Sequence, residues 1–452
     1  MIPYWRRASI AALLLAMAAS TAAVAQEPLT LRQAIQQALG ENPDAAVAHA
    51  NSEEARAGAA LARTQLLPQL NFTEDMSRGN DPVYVFGTRL RQQQFTQADF
   101  ALNSLNRPLP VGNFASRFSG QWLAFDSFKT QKTIHSADLM RKSSDSQAKA
   151  VNQKIVMDVV QAYQAVLYAE RQISVAQHEQ ETAAALMSSV QDRVKAGLAV
   201  ESDLMSAEVN VAARKQDLIA AQGDLELAWA QLRLAMGTPN LQETKLQPIE
   251  PHDFPETNLE QDLATAAKTR PDLNALSEAQ SAQAAAVGAA KSDFGPRVSA
   301  YGNWEQDRPT FAGSGGNNWV AGAQISIDIL PFGKRAQLAR ESAAKQRIDA
   351  QMAAYQQHVR LEVSRAHIER QTAQLQLATA KAAMTQAAES LRILRNRYGA
   401  GLATITDLLR AEDAERQSQT NYWHAVYGTT LAYAGQLFAT GTLTADAAEG
   451  LQ

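Results

Sequence analysis

At 452 residues the chain is about three times the length of an ordinary domain, so it needs several domains or an elongated build. Its 46% hydrophobic, 6% aromatic and 19% charged residues, rich in alanine, favour long helices over a β-rich globule. A net charge of −4 without a Lys/Arg cluster argues against nucleic acid, while zero cysteines and seven singly placed histidines exclude disulfides, thiolate chemistry, cysteine-linked lipid and the common metal motifs, so no metal or cofactor is expected.

In chain order, residues 1–25 read as an export signal: Trp5, Arg6 and Arg7 form a charged start, an apolar core runs through Ala11 to Met17, and Ala23-Val24-Ala25 gives a small-x-small cleavage pattern. The apolar core is too short for a membrane anchor, and no later run is long enough for a membrane helix. Entry into a membrane would therefore need β-strands. A first unit is expected at 26–240, with strands near 68–78 and 115–125 and a helical turn near 195–201. The loop 79–113 between those strands carries Tyr84, Phe86, Phe95 and Phe100, aromatics that suggest an ordered cap. No Gly or Pro falls between Trp122 and Ala196, which leaves room for one helix of about 65 residues, roughly 100 Å at 1.5 Å per residue. A proline-rich stretch at 241–258 reads as an extended surface linker. The second unit, 259–440, repeats the pattern with strands near 296–306 and 319–330 and a turn near 399–404; the loop 308–318, with Gly313, Gly315 and Gly316, looks short and flexible, and 441–452 is left as a tail.

The two units are copies. Leu31 to Leu70 matches Leu259 to Val298 at an offset of 228, placing Asn42-Pro43-Asp44 on Arg270-Pro271-Asp272. Arg193 to Glu208 matches Arg397 to Glu412 at an offset of 204 with nine identities in sixteen, and alanine richness alone would not align Arg, Gly, Asp and Glu. Within the long helices a 4-3 spacing runs through Val359, Val363, Ala366, Arg370 and Ala373 to Tyr398, and through Ile155, Val159, Ala162 and Val166 to Val194. That seam argues for antiparallel coiled-coil packing, with Arg370 and Gln180 as single polar breaks. Four strands cannot close a membrane barrel, so a membrane reading requires several chains to pool them.

The tandem unit, the strand pairs between long helices, the NPD/RPD starts, the Pro at each first strand and the paired R-x-x-x-G-L-A-x-x-x-D-L turns together resemble the TolC-like outer-membrane efflux proteins over nearly the whole chain. The fold so implied is mainly α with a small β part: a homotrimeric twelve-stranded β-barrel continued by a twelve-helix α-barrel tunnel. The resemblance implies an exit duct in the outer membrane that reaches into the periplasm and serves an inner-membrane transporter and a periplasmic adaptor, in drug efflux or type I secretion. It also implies roles at the two turns. Gly197, Leu198, Gly401 and Leu402, with Arg193 and Arg397 beside them, would be the adaptor-docking tips, although a helical turn needs such glycines in any case.

Tyr398, Asp407, Asp203 and Ser202 fall where the family has its periplasmic constriction. Three aspartates around one axis would repel, raise their own pKa and gather cations. Two departures, Ala403 for a basic residue and Arg410 for an acidic one, leave the gate's bonds open. Arg410 would pair with Asp407 one turn away, either as part of the gate or as an ordinary surface ion pair. A second reading, a periplasmic coiled-coil scaffold outside the membrane, shares the leader and heptads but does not need lipid-length strand pairs in both copies. An enzyme finds no catalytic motif.

Overall fold

A computed structural model describes residues 28–249 and 254–451; the signal expected at 1–25 lies outside them. In chain order the elements are α1 (Leu31–Glu41), α2 (Pro43–Thr64), β1 (Gln69–Gly79), α3 (Pro82–Arg91), α4 (Leu102–Asn106), β2 (Val111–Phe125), α5 (Lys129–Lys195) and α6 (Glu201–Met236). The second copy gives α7 (Leu259–Thr269), α8 (Pro271–Ser292), β3 (Arg297–Arg308), β4 (Gly316–Ser326), α9 (Phe332–Gly399), α10 (Ile405–Ala439) and α11 (Ala445–Glu449). The protein is mainly helical with one small antiparallel sheet. The fold divides into a helical unit, made of residues up to Val47, Lys149–Arg270 and from Val359 onward, and a strand-bearing unit, made of Ala48–Ala148 and Pro271–His358.

The repeat is visible in the caps. Thr30 and Gln33 form a capping box at α1, and Asn258 and Gln261 form its counterpart at α7, each satisfying two of the orphan backbone groups at a helix start. Pro43 and Pro271 then restart the chain as α2 and α8, where a missing N–H is harmless.

The core of the helical unit gathers Leu31 and Ile35 of α1, Val159, Tyr163 and Val166 of α5, and Trp229, Leu232 and Met236 of α6. Two expectations are corrected here. The segment after Thr238 is no surface linker: Leu246, Ile249 and Phe254 are buried in this core, because the Leu29 and Lys245–Gln247 backbones pair and Tyr163 Oη donates to the Leu29 carbonyl at 2.7 Å. The tail likewise closes the core, with Leu443, Ala448 and Leu451 fully buried. The polar break at Arg370 is buried as well. It donates to the carbonyls of Phe254 and Pro255 and to Gln436, and its guanidinium lies 5.0 Å from the Tyr433 ring, which stacks on Phe254. Buried donors of this kind are expected to be matched, and sequence periodicity cannot name the partners.

In the strand-bearing unit the sheet order is β1-β2-β3-β4, all antiparallel. β4 ends at Ser326, short of the expected 330. Its last partner is Arg297, and the preceding Pro296 has no N–H to extend the ladder, so Ile327, Ile329 and Leu330 lie outside it and exposed. Loop 79–113 holds α3 and α4, with Asp81 capping α3 at Tyr84 N and Pro82 at its first position. The glycines of the 308–318 loop serve close approach rather than flexibility. A Cβ on Gly315 would collide with the Asp307 carbonyl, and one on Gly316 with the Arg91 carbonyl.

Candidate functional site

The helix turns are built alike. At the first, Leu198 N donates to Arg193 O at 2.8 Å and Gly197 N to Val194 O at 2.9 Å; at the second, Leu402 N donates to Arg397 O at 2.8 Å and Gly401 N to Tyr398 O at 3.0 Å. These are the paired bonds of a Schellman motif, and both glycines are left-handed, with φ of 73° and 77°. The turn places one apolar side chain at each apex, Leu198 at 72% and Leu402 at 69% exposure.

Beyond that the turns differ. Arg193 crosses to the second hairpin, donating to the carbonyls of Tyr398 and Gly399 at 3.2 and 3.3 Å while its guanidinium sits 5.0 Å from the Tyr398 ring. Arg397, its repeat partner, turns back to Leu402 O of its own loop. Tyr398 joins Val190, Ala207, Ile405 and Leu408 in a small apolar cluster, and its hydroxyl is buried without a hydrogen-bond partner. Burial pushes the phenol above its usual pKa, with Arg193 opposing and Asp203 adding to the rise.

Asp407 sits in the first turn of α10. It is the third helical residue of a capping box, accepting from Thr404 Oγ1 at 2.7 Å and Thr404 N at 3.1 Å while Thr404 caps α10. These bonds hold its carboxyl below the usual range; Arg410 and Arg397 act on it only through charge, so the sequence-level pairing of Arg410 with Asp407 gives way to a cap. The first hairpin lacks this device: Val200 stands at the cap of α6, Asp203 has only the backbone bond to Val200 O, and Ser202 is exposed, its carbonyl accepting from Ser206 Oγ. The structure thus brings Arg193, Tyr398 and Asp203 together, leaves Asp407 half-buried in its own cap, and leaves Ser202 and Arg410 exposed.

Farther along the same helices, Glu179, Glu412 and Glu415 are buried near one another, with Arg395 3.5 Å from Glu412 and Arg214 bound to Asp413 at 2.9 Å. Burial first, then the neighbouring carboxylates, pushes Glu179 upward; burial does the same to Glu412.

A duplicated joint was missed by sequence reasoning. Asn42 Nδ2 donates to Ala235 O at 2.8 Å, and Arg270, its equivalent, donates to Ala439 O at 3.2 Å. Against these residues press Gly237 and Gly441, left-handed at φ 71° and 73°, where an added Cβ would stand 2.6 Å from the Cα of Asn42 or Arg270. The signal was the Gly-Thr pair recurring at 237–238 and 441–442, at the same 204-residue offset as the turns.

The sheet carries the last piece of the site. A row of Phe72, Phe118, Trp304 and Trp319 runs in register across all four strands, joined on that face by exposed Leu70, Met76, Trp122 and Ile325. The other face carries Thr73, Asp75, Arg117, Ser119, Gln121 and Glu305. A face that is aromatic and aliphatic apart from polar residues toward its loop end, the bonded Glu74, Ser116 and Arg308 among them, opposite a polar one, on strands of 11 to 15 residues, is the pattern of lipid outside and water inside. Among the described residues no helix is long and apolar enough to cross a membrane.

A tandem pair of long helical hairpins joined to such a sheet is the build of an outer-membrane channel protein. The chain belongs to the outer membrane efflux protein family, whose pattern matches residues 34–238 and 263–442. It is 25% identical to the outer membrane protein OprJ of Pseudomonas aeruginosa over 413 residues, 88% of this chain and 81% of OprJ. Its fold is similar to that of a Pseudomonas aeruginosa membrane protein, with a TM-score of 0.79 and 20% identity over 91% of this chain and 93% of that one. It is also similar to the Campylobacter jejuni CmeC outer membrane channel, with a TM-score of 0.78 and 18% identity over 93% and 88%.

Proposed function

We propose that this outer-membrane efflux channel works as a homotrimer, in which three four-stranded sheets close into one twelve-stranded barrel and the helical hairpins form a twelve-helix tunnel in the periplasm. One observation carries the reading. The sheet ends in two unpaired edges, β1 and β4, and turns an aromatic face outward, and a four-stranded sheet can satisfy both only by joining copies of itself in lipid. The duct is passive: cargo is driven by an inner-membrane transporter and handed over through a periplasmic adaptor. The apical Leu198 and Leu402, flanked by Arg193 and Arg397, suit an adaptor hairpin, and Tyr398, Asp203, Ser202, Asp407 and Arg410 form the inner constriction of the closed tips. The carboxylates at this end favour cations in the tunnel.

The test is the mass and image of the detergent-extracted protein. A hollow particle of three chains is expected. A monomer that is stable and monodisperse without detergent would overturn the pooled barrel and favour a periplasmic scaffold.

A further inference from the structure

We propose that the α3–α4 segment is the size-selecting element of the channel's outward mouth, folded over the inner face of the sheet and fastened there through Gln92. The proposal rests on the trimeric-duct reading, which gives the sheet an inside.

Register assigns the faces. Along β2, Phe114, Phe118 and Trp122 point with the aromatic row, so Asn113, Ala115, Arg117 and Ser119 point the other way, opposite Asp307 and Glu305 of β3. Every fastening of the loop is to that second, polar face. Gln92 Nε2 donates to Gly112 O at 2.8 Å and Asn113 Oδ1 at 2.9 Å; Asn113 Nδ2 donates to Asp307 Oδ1 at 2.6 Å. Asn318 Nδ2, from β4, donates to Asp307 Oδ2 at 3.2 Å and to the carbonyl of Arg91 at 3.1 Å. Ser77 of β1 meets Tyr84 Oη at 3.0 Å. The chain of amides therefore ties the end of α3 to β2, β3 and β4, the Tyr84–Ser77 hydroxyls add β1, and the amide network is sealed: Gln92 is 2% exposed, Asn113 5% and Asp307 0%, on a sheet otherwise largely open.

Such burial of matched polar groups fixes a conformation, since each broken bond would leave a desolvated partner. The segment braces itself too. Phe95 packs edge-on between Phe86 and Phe100, and Arg89 pairs with Asp99 at 2.7 Å. These contacts describe a rigid wedge rather than a loose loop.

The dimensions make the wedge consequential. Twelve strands at ~4.8 Å spacing and ~40° tilt enclose a ring about 24 Å across between backbones. Three helices of ~10 Å diameter nearly fill such a ring. Val83 and Leu102 remain about four-fifths exposed on the single chain, at 81% and 77%, apolar surface that three converging wedges would bury against one another.

The chain has no cysteine, so a single introduced thiol reports the inner face. Ser119→Cys would be exposed on intact cells to a small charged maleimide and to a bulky polyethylene-glycol maleimide, with Phe118→Cys as the lipid-facing control. The small reagent is expected to label Ser119→Cys and spare Phe118→Cys. The bulky reagent should label Ser119→Cys at least ~10-fold faster once residues 84–106 are replaced by a short Gly-Ser linker, and Gln92→Ala should give an intermediate gain. Equal rates for the bulky reagent in all three backgrounds would overturn the size-selecting role and leave the duct intact. Labelling of Phe118→Cys in place of Ser119→Cys would overturn the duct reading itself. Should the linker variant fail to reach the membrane, Gln92→Ala decides between the same outcomes.

Discussion

Gly441 and Gly401 are both left-handed glycines after a helix or its turn, yet substitution should separate them. Alanine at either site must hold φ near +75°, at about 1–2 kcal/mol. At Gly401 nothing lies within 4 Å of the new methyl, and that is the whole effect. At Gly441 the methyl would stand 2.6 Å from Arg270 Cα and 2.8 Å from Arg270 N, backbone atoms that cannot step aside, which adds the roughly 1–3 kcal/mol typical of overpacking. Gly441→Ala should therefore lose about 2–5 kcal/mol and Gly401→Ala about 1–2. Gly237→Ala, 2.6 Å from Asn42 Cα, should follow Gly441. Helix circular dichroism of the detergent-solubilised proteins through a denaturant series reads the ordering. Equal midpoints for Gly441→Ala and Gly401→Ala would refute the claim that backbone contact at the joint, rather than turn conformation, dictates glycine there.

Other consequences are open to the same kind of measurement. Thr404→Ala removes the cap of α10 and should destabilise by about 1 kcal/mol, whereas Val200→Thr builds the missing box with Asp203 and should gain a similar amount; the reverse pattern of melting shifts would argue against the asymmetry described. Glu179 titrates above its usual 4.5 when folded, so the folded state holds the proton more tightly and the carboxylate opposes folding above that raised value, an opposition that fades as pH falls toward 4.5. Glu179→Gln should accordingly raise stability at pH 7.5 and flatten its pH dependence between neutrality and 4.5; an unchanged slope would contradict it. Arg370→Ala strands the Phe254 and Pro255 carbonyls and Gln436 and should lose about 3 kcal/mol, read by the unfolding midpoint, against under 1 for the exposed Arg360→Ala.

The features that sequence made plain are those repeated within it. Turns with Arg, Gly and Asp in register, the NPD and RPD restarts, and helices without Gly or Pro all leave patterns that one chain can be checked against itself to find. What stayed hidden depends on contacts between distant segments. Leu246 and Phe254 sit among prolines and read as linker; the Leu29 backbone, more than 200 residues away, draws Leu246 into the core, and Tyr433 and Arg370 hold Phe254 there. Asp407 carries a carboxylate wherever it stands. That it caps a helix depends on Thr404 three residues earlier, a capping-box spacing present in the sequence but outweighed by the family's gate. The 79–113 loop was legible as ordered, from its aromatics, but not as bonded to the polar face of the sheet, because only strand register says which way Asn113 points.

That register also dictates an order of events. β2 pairs with β3 across separations such as the 188 residues between Arg117 and Glu305, so the sheet cannot be completed until the chain has been made and exported through the strands of the second copy. Until then the β1–β2 hairpin has an unsatisfied edge on both sides and an aromatic face in water, the state most prone to wrong pairing. Loop closure over such a distance is slow compared with helix formation. The first copy therefore waits with its strands open, and the interval before β3 of the second copy arrives is when the chain is most exposed to wrong pairing.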